Sequence, residues 1–227
     1  MRGEGVPVLS LVRPVWRTLP WMPLAAGAGL GLLLVGIPRM RSGAADPWQG
    51  LTLLRGAALC FALGPAFLLD DPARHTTTPV PTPRPLRITL RLALVAPLAA
   101  LWWTTALLLV PAQARPPLGD ITLEAAGVAG CALAGAATAV RFTDRPEPGL
   151  AVTTALLTAA VATALLLPDD WTLLPAPGSS EWDAAHDRWT AMALLAALTW
   201  TAFAPEPLRR GPVLSGSRLC AARKNRI

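Results

Sequence analysis

Charged residues are scarce in this sequence. Asp, Glu, Lys and Arg make up 15% of its 227 residues, hydrophobic residues make up 53%, and the mean hydropathy is +0.45. Soluble domains carry about 25% charged residues. Most charges here fall between long apolar blocks, as expected when each block lies in hydrocarbon and each linker in water. The composition therefore excludes an ordinary soluble domain and predicts an integral membrane protein.

Cysteine is also scarce. Cys60 and Cys131 fall inside apolar blocks, and Cys220 lies in the basic tail. An odd number of cysteines, with none in a predicted external loop, argues against a disulfide framework. The first apolar block begins near Trp21 and has no small-residue cleavage site, so we predict no cleavable signal peptide.

Motifs that carry catalytic chemistry are absent. The sequence has no GxxxxGK[ST], HExxH, CxxC or GxSxG pattern. It has two histidines, and the group Glu181, Asp183, His186 and Asp187 follows a stretch rich in Pro, Gly and Ser. Such a group is more typical of a solvated acidic loop than of a metal site. We predict no enzymatic activity, no catalytic or metal-binding residue, and no cofactor on this chain.

The apolar blocks predict an all-α, polytopic bundle of about six transmembrane helices. Each block has roughly the 20 residues needed to cross the hydrocarbon core. Residues 1–20 form a basic segment, either an amphipathic helix at the membrane interface or a disordered tail, and residues 205–227 form a basic tail. The predicted spans are 21–37, 51–69, 88–110, 121–140, 150–167 and 189–204.

The distribution of basic residues predicts the orientation. With both termini in the cytoplasm, fifteen of the twenty Lys and Arg lie on the inner side, as the positive-inside rule requires. We therefore predict a multi-pass protein of the plasma membrane. The net charge of +6 is spread over short loops and the tail rather than clustered, so we predict no nucleic acid partner. The basic residues left on the outer side are Arg39, Arg41, Arg55, Arg115 and Arg188.

Two charges fall inside the predicted spans. Arg55 and Glu124 lie at similar depths from the outer side, in the second and fourth spans. Ionisable residues within a span are functional hypotheses by default. The two side chains could meet as an ion pair that joins two helices, could snorkel to the interface, or could line a polar vestibule for a substrate.

Small residues at four-residue spacing predict close helix packing. Gly27 and Gly31 form a GxxxG pair in the first span. The fourth span repeats small residues at Ala126, Gly130 and Ala134. Such spacing lets another helix approach closely, so we predict that these residues lie in helix interfaces.

The longest polar passage between apolar blocks separates the second and third spans. Asp70 and Asp71 close the second span, Pro79 and Pro81 belong to a run of prolines, and basic residues lead into the third span. Its length and its prolines favour an extended or tightly turned docking surface over a plain loop. We predict a partner-docking segment at 70–87. Its six candidate residues are Asp70, Asp71, Pro79, Pro81, Arg84 and Arg87.

This arrangement resembles the membrane subunits of ABC transporters of the ABC-2 exporter type. In that family the loop after the second of six helices has an acid, a short coupling helix, a proline step and a basic stretch. Asp70 or Asp71, the sequence Pro79-Val80-Pro81-Thr82, and Arg84 with Arg87 match these features. The prolines are more numerous than in the family pattern, which shortens or breaks the coupling helix.

The resemblance implies a permease subunit of an ATP-driven exporter. It implies a separate ABC ATP-binding subunit docked on 70–87, with ATP held on that partner, and a second membrane subunit, either a copy or a paralogue. The Ala-, Leu-, Pro- and Arg-rich composition with a single Lys is compatible with a GC-rich, actinobacterial-style genome. The alternative is an accessory or scaffold membrane protein without transport activity.

Overall fold

Every regular element in the computed structural model is a helix within the residues that it describes, which are 8–40, 46–70, 84–143, 147–168 and 171–203. The seven α-helices are α1 Val8–Arg17, α2 Trp21–Gly36, α3 Pro47–Leu63, α4 Arg84–Leu109, α5 Leu118–Phe142, α6 Gly149–Leu166 and α7 Trp182–Phe203. Three short 3₁₀ helices also occur, at Ile37–Met40, Pro65–Leu69 and Ala112–Ala114.

Four helical stretches are long and apolar enough to cross a membrane. A fifth span results if α1 and α2 are counted together, as Leu11–Arg17 and Trp21–Gly36, although they are bent by 66°. The prediction of an all-helical membrane-type fold is thus confirmed at the level of four to five spans. The four stretches are Pro47–Leu69, Leu86–Leu109, Leu118–Phe142 and Gly149–Leu166.

The sequence explains where the second span begins and bends. Asp46 caps α3 by accepting a hydrogen bond from the N–H of Trp48 at 3.1 Å, and Pro47 occupies the first helical position, where its missing N–H costs nothing. The helix therefore starts four residues before the predicted boundary at residue 51. At its other end Pro65 replaces the α-helix by the 3₁₀ turn Pro65–Leu69, because proline cannot donate the next α-helical hydrogen bond.

Helices α2 to α7 alternate in direction between two buried apolar clusters. One cluster combines Leu24, Ala66, Val140 and Val152 with side chains of the other helices. The second cluster contains Val35, Leu51, Val110 and Ile121. Each of α2 to α5 contributes to both clusters from its opposite ends, so successive helices run up and down. We call the two ends of the bundle the Asp70 end and the Arg55 end, after the polar residues beside each cluster.

Helix α5 lies at the centre of the bundle. It packs on α7, α3, α6 and the turn Pro65–Leu69, with α7 as its most extensive neighbour. Its buried face is made largely of alanine and glycine, which allows these neighbours to approach closely. Helix α4 instead lies at the edge, with much of its apolar surface exposed.

Helix α7 begins seven residues before the predicted sixth span. The residues between the predicted spans 150–167 and 189–204 are therefore not all loop, because Trp182–Asp187 is helical. His186 lies in this part of the helix and is buried, so the interpretation of His186 as part of a solvated acidic loop was also wrong. Hydropathy misses these turns because they combine Asp183, Asp187 and Arg188 with a buried aromatic and histidine face.

The predicted packing residues divide into two groups. Gly27 faces the carbonyl of Cys60, and Gly31 faces the indole of Trp102, so both sit in tight helix contacts. In α5 the side chain of Ala134 is buried, and Gly130 lies against Ala196 of α7. Ala126 is exposed, so it is not buried against another helix of the described residues. The adjacent Gly127 is the buried residue, because it receives the ring of Trp189.

Candidate functional site

The structure brings Arg55 and Glu124 together in a bidentate ion pair. The Nε of Arg55 donates to Oε2 of Glu124, and a terminal guanidinium nitrogen donates to Oε1, each at 2.7 Å. The side chains are 12% and 3% exposed. Two parallel charge-assisted hydrogen bonds satisfy both charges where water is largely excluded. Arg55 comes from α3 and Glu124 from α5, so the pair joins two neighbouring helices.

His186 of α7 completes the charge cluster from the other side. Its Nε2 lies 3.1 Å from Oε1 of Glu124, and its Nδ1 lies 2.7 Å from the carbonyl oxygen of Trp182. The indole of Trp182 in turn donates to the carboxylate of Asp120 at 2.7 Å. Three helices therefore converge on the Glu124 carboxylate.

The non-helical segment 172–175, before α7, is hydrogen-bonded to side chains around the Arg55–Glu124 pair. Arg55 donates a third hydrogen bond, at 3.0 Å, to the carbonyl of Pro175. The indole of Trp189 donates to the carbonyl of Leu173 at 2.8 Å, and Arg188 donates to that of Thr172 at 3.0 Å. Each side chain binds a backbone carbonyl that no helix satisfies, so the segment is ordered although it is not helical.

A cleft of about 440 Å³ opens beside the ion pair, between α3, α5 and α6. This volume lies in the range of small-molecule sites. Its walls are mainly apolar, with Val128 from α5 and Leu157, Ala160 and Ala164 from α6. The polar groups lining it include Arg55, Glu124 and Thr52, and Thr52 donates to the carbonyl of Trp48.

Helix α6 forms the cleft because only its first turns pack on the bundle. Its buried residues are Gly149, Val152 and Thr153. Toward its far end Val161 is 57% exposed and Leu165 is 76% exposed. The helix therefore diverges from α5 with distance from the Asp70 end, which leaves a wedge of space at the Arg55 end.

The Asp70 end is closed by a separate polar network. The carboxylate of Asp70 accepts a hydrogen bond from the N–H of Gly149 at 2.9 Å, and Arg91 donates to the carbonyl of Leu68 at 2.7 Å. Burial raises the pKa of the Asp70 carboxyl. The bond from Gly149 and the charge of Arg91 oppose this increase in pKa, while the charge of Glu147 adds to it. Asp70 therefore holds the start of α6 against the end of the second span.

The structure describes part of the predicted docking segment. Asp70 lies at its start, and Arg87 lies in the second turn of α4, with an Nε that is buried and makes no hydrogen bond within the described residues. Asp71, Pro79 and Pro81 lie outside the described residues. The remaining residue, Arg84, is the first residue of α4.

Sequence reasoning missed several residues of the two networks. His186 was assigned to a loop, although its spacing of four residues from Trp182 is a helical signal for the contact that they make. Gly149 had no signal, because the sequence does not show that its N–H faces Asp70. Arg91 was not singled out, because it is one of several basic residues at the start of the third span. Within the described residues, no group of three or more His, Cys, Asp and Glu side chains is placed to hold a metal ion.

No protein-family model, curated protein or solved structure matches this chain. Membership of the ABC-2 exporter family therefore stays a prediction from the sequence.

Proposed function

We propose that this protein is a membrane permease subunit with six crossings and both termini in the cytoplasm, and that it moves a substrate across the plasma membrane with a separate ATPase subunit. The observation that carries the proposal is the cleft of about 440 Å³ between α3, α5 and α6, which lies toward the Arg55 end, whereas at the Asp70 end the start of α6 is bonded to Asp70. A cavity in one half of the bundle, with the helices packed together in the other half, is the arrangement expected of one state of an alternating transporter.

The alternation of α2 to α7 supports the six crossings. Helix α2 begins at the Asp70 end, and Phe203 near the end of α7 packs on Phe142 at the same end. With the basic termini inside, the Asp70 end faces the cytoplasm and the cleft lies in the outer half of the bundle. Helix α7 is then the sixth crossing, with its polar first turns at the outer surface.

The predicted docking segment emerges at the closed end. Asp70, at the start of this segment, bonds the first residue of α6, and α6 forms one wall of the cleft. Movement of the segment by a partner would therefore reach α6 directly. We infer that an ATPase docked on 70–87 changes the width of the cleft by moving α6 about its fixed first turns.

The first experiment is a pull-down of the tagged full-length protein from its native membrane in mild detergent. The docking variant is Asp71→Ala with Arg84→Ala, because Asp70 bonds Gly149 and Arg87 has a buried nitrogen, so changing either would disturb the bundle itself. We expect the natural sequence to recover a nucleotide-binding ATPase and the variant to recover much less. If a folded sample recovers no ATPase, the exporter proposal fails.

A second experiment tests the cleft within that complex. Ala160 lines the cleft, whereas the neighbouring Ala159 is exposed and does not line it. We expect Ala160→Phe to lower the ATP hydrolysis rate of the purified complex in nanodiscs, and Ala159→Phe to leave it unchanged. Equal rates in the two variants would remove the cleft from the transport path.

The second candidate function is an accessory or scaffold membrane protein. The ion pair between Arg55 and Glu124 favours it, because two charges that neutralise each other within the bundle need no substrate to satisfy them. Under this alternative the pull-down recovers a membrane protein partner without an ATPase.

A further inference from the structure

The Nε2 atom of His186 is buried and makes no hydrogen bond within the described part of the chain. It lies 3.1 Å from Oε1 of Glu124, which is close enough for an ion pair, although the alignment falls short of a hydrogen bond. Buried polar atoms in proteins are nearly always satisfied, so this atom requires an explanation. Because the atom is sealed from solvent by its neighbours, a proton is the ligand that fits between the two side chains.

The other ring nitrogen determines where the protons lie. Nδ1 is 2.7 Å from the carbonyl oxygen of Trp182, and a carbonyl can only accept, so Nδ1 carries a hydrogen. A neutral imidazole then has a lone pair on Nε2. That lone pair would face the lone pairs of Oε1 of Glu124 in a buried setting, where repulsion between acceptors is strong. A second proton removes this conflict.

Arg55 decides which partner carries the second proton. It donates to both oxygens of Glu124, and this favours the ionised carboxylate. The proton therefore belongs on Nε2. A small rotation of the His186 ring would then align a charge-assisted N–H···O bond.

The other charged groups near this contact are engaged elsewhere or point outward. Asp120 of α5 accepts the indole N–H of Trp182, and Arg188 of α7 lies over the ring of Trp171. Asp183 and Asp187 lie on the exposed side of α7. Helix α6 has no charged residue in its sequence. The site therefore consists of one carboxylate between one guanidinium and one imidazole.

We propose that Glu124 and His186 form a proton-binding site, in which a proton taken from water lies between Oε1 and Nε2 and links α5 to α7. Binding turns the imidazole into an imidazolium, and release returns the proton to water with no transfer of electrons. After release the two acceptors repel, so the start of α7 and the segment bonded to Arg55 at Pro175 loosen beside the cleft. This inference does not depend on an ATPase partner.

The test is ¹⁵N nuclear magnetic resonance of the full-length protein labelled at histidine, in nanodiscs. The chain has two histidines, and His75→Gln assigns their signals. We expect the ¹⁵N shifts and one-bond N–H couplings to show a hydrogen on both ring nitrogens of His186 at neutral pH. A His186 ring with a hydrogen on Nδ1 alone would overturn the proposal, and this outcome needs no further variant.

Two matched variants identify the partner of the proton. Glu124→Gln keeps the shape of the side chain, and its amide N–H can donate to the Nε2 lone pair, so His186 should become neutral with its hydrogen on Nδ1. Asp183→Asn removes an exposed acid of the same helix and should leave the His186 signals unchanged. If His186 carries a hydrogen on both ring nitrogens in E124Q as well as in the natural sequence, then Glu124 does not hold the proton and the site as proposed is wrong.

Discussion

The two ends of the bundle use polar side chains in different ways. At the Asp70 end a carboxylate bonds the backbone of Gly149, so it holds α6 itself. At the Arg55 end the polar side chains bond α3, α5, α7 and the segment at Pro175, and α6 takes no part. The same helix is therefore anchored at one end and separated from α5 at the other.

This comparison shows that apolar surface alone does not determine the position of a helix in a membrane protein. Helix α6 is apolar on all sides, so contact with lipid tails is as favourable for it as contact with the other helices. Its closed end is specified by one hydrogen bond and one close approach, in which a side chain at Gly149 would meet the ring of Phe67. Its open end has neither, and the cleft results.

The largest loss of stability is expected for Glu124→Leu, which removes the carboxylate of the ion pair at the Arg55 end. This change leaves a buried guanidinium without its partner, and losing one member of a buried ion pair costs about 3–5 kcal/mol. We expect the free energy of unfolding to fall by this amount in detergent, measured by circular dichroism during denaturation. The control is Arg55→Leu with Glu124→Leu, in which both charges are removed and most of the loss should be recovered. An equal loss in the single and double variants would contradict the prediction.

Gly149→Ala should weaken the packing of α6 at the Asp70 end. An alanine Cβ would lie 2.8 Å from the Asp70 carboxylate and closer still to the Phe67 ring, and overpacking of this kind costs about 1–3 kcal/mol. The matched control is Gly29→Ala in α2, where no atom lies within 4 Å of the added Cβ. Thermal unfolding in the same detergent should show a loss of stability for G149A and no loss for G29A. Indistinguishable melting curves would show that this contact does not hold α6.

Asp70→Asn tests the Asp70 end through the pH dependence of stability. Burial raises the pKa of Asp70 in the folded protein. The stability that this group contributes is therefore fully present below its unfolded pKa and is lost as pH rises through the higher folded pKa. Asn has the same shape and can still accept from Gly149, but does not ionise. We expect the natural protein to lose stability relative to D70N across this interval, measured by unfolding at a series of acidic pH values. Stability curves that stay parallel for the two proteins would contradict the raised pKa of Asp70 in the folded protein.

The smallest expected effect on stability comes from filling the cleft. Ala160→Phe places a ring in open space, so the free energy of unfolding should change by less than about 0.5 kcal/mol, as it should for Ala159→Phe. The two variants should differ in access to the cleft. In a background without the three natural cysteines, a thiol placed by Thr52→Cys should react more slowly with a maleimide in the A160F protein than in the A159F protein. Equal reaction rates would mean that Ala160 does not face the same space as Thr52.

Most helix positions could be predicted from the sequence because membrane spans are local features. The predicted spans 121–140 and 150–167 lie within three residues of the observed ends of α5 and α6. Their length and apolarity follow from the thickness of the hydrocarbon core and from the need to satisfy every backbone group internally. Helix α7 was predicted less well, because its first turns are polar on one side and a hydropathy value averages the polar and apolar sides of each turn.

The candidate site could be predicted in part. Arg55 and Glu124 stand out because charge is expensive within apolar blocks, and their similar depth allowed a pair. Ala126 and Gly127 could not be told apart, because both lie on small-residue rows four apart and only the position of Trp189 selects one of them. The partners His186 and Gly149 depend on contacts between residues more than 60 positions apart, for which one sequence holds no local signal.

The helical character of the chain, its membrane type and the charges that lie inside the bundle could all be inferred from the amino-acid sequence. These properties follow from hydrophobicity and spacing along a single helix. Three features became visible only in the folded chain, namely the contact of Glu124 with both Arg55 and His186, the bond from Asp70 to the start of α6, and the cleft beside α6. In hydrocarbon, contact between two apolar helices is hardly more favourable than contact with lipid. The neighbours of each helix are therefore set by a few hydrogen bonds and close contacts between residues that are distant in sequence.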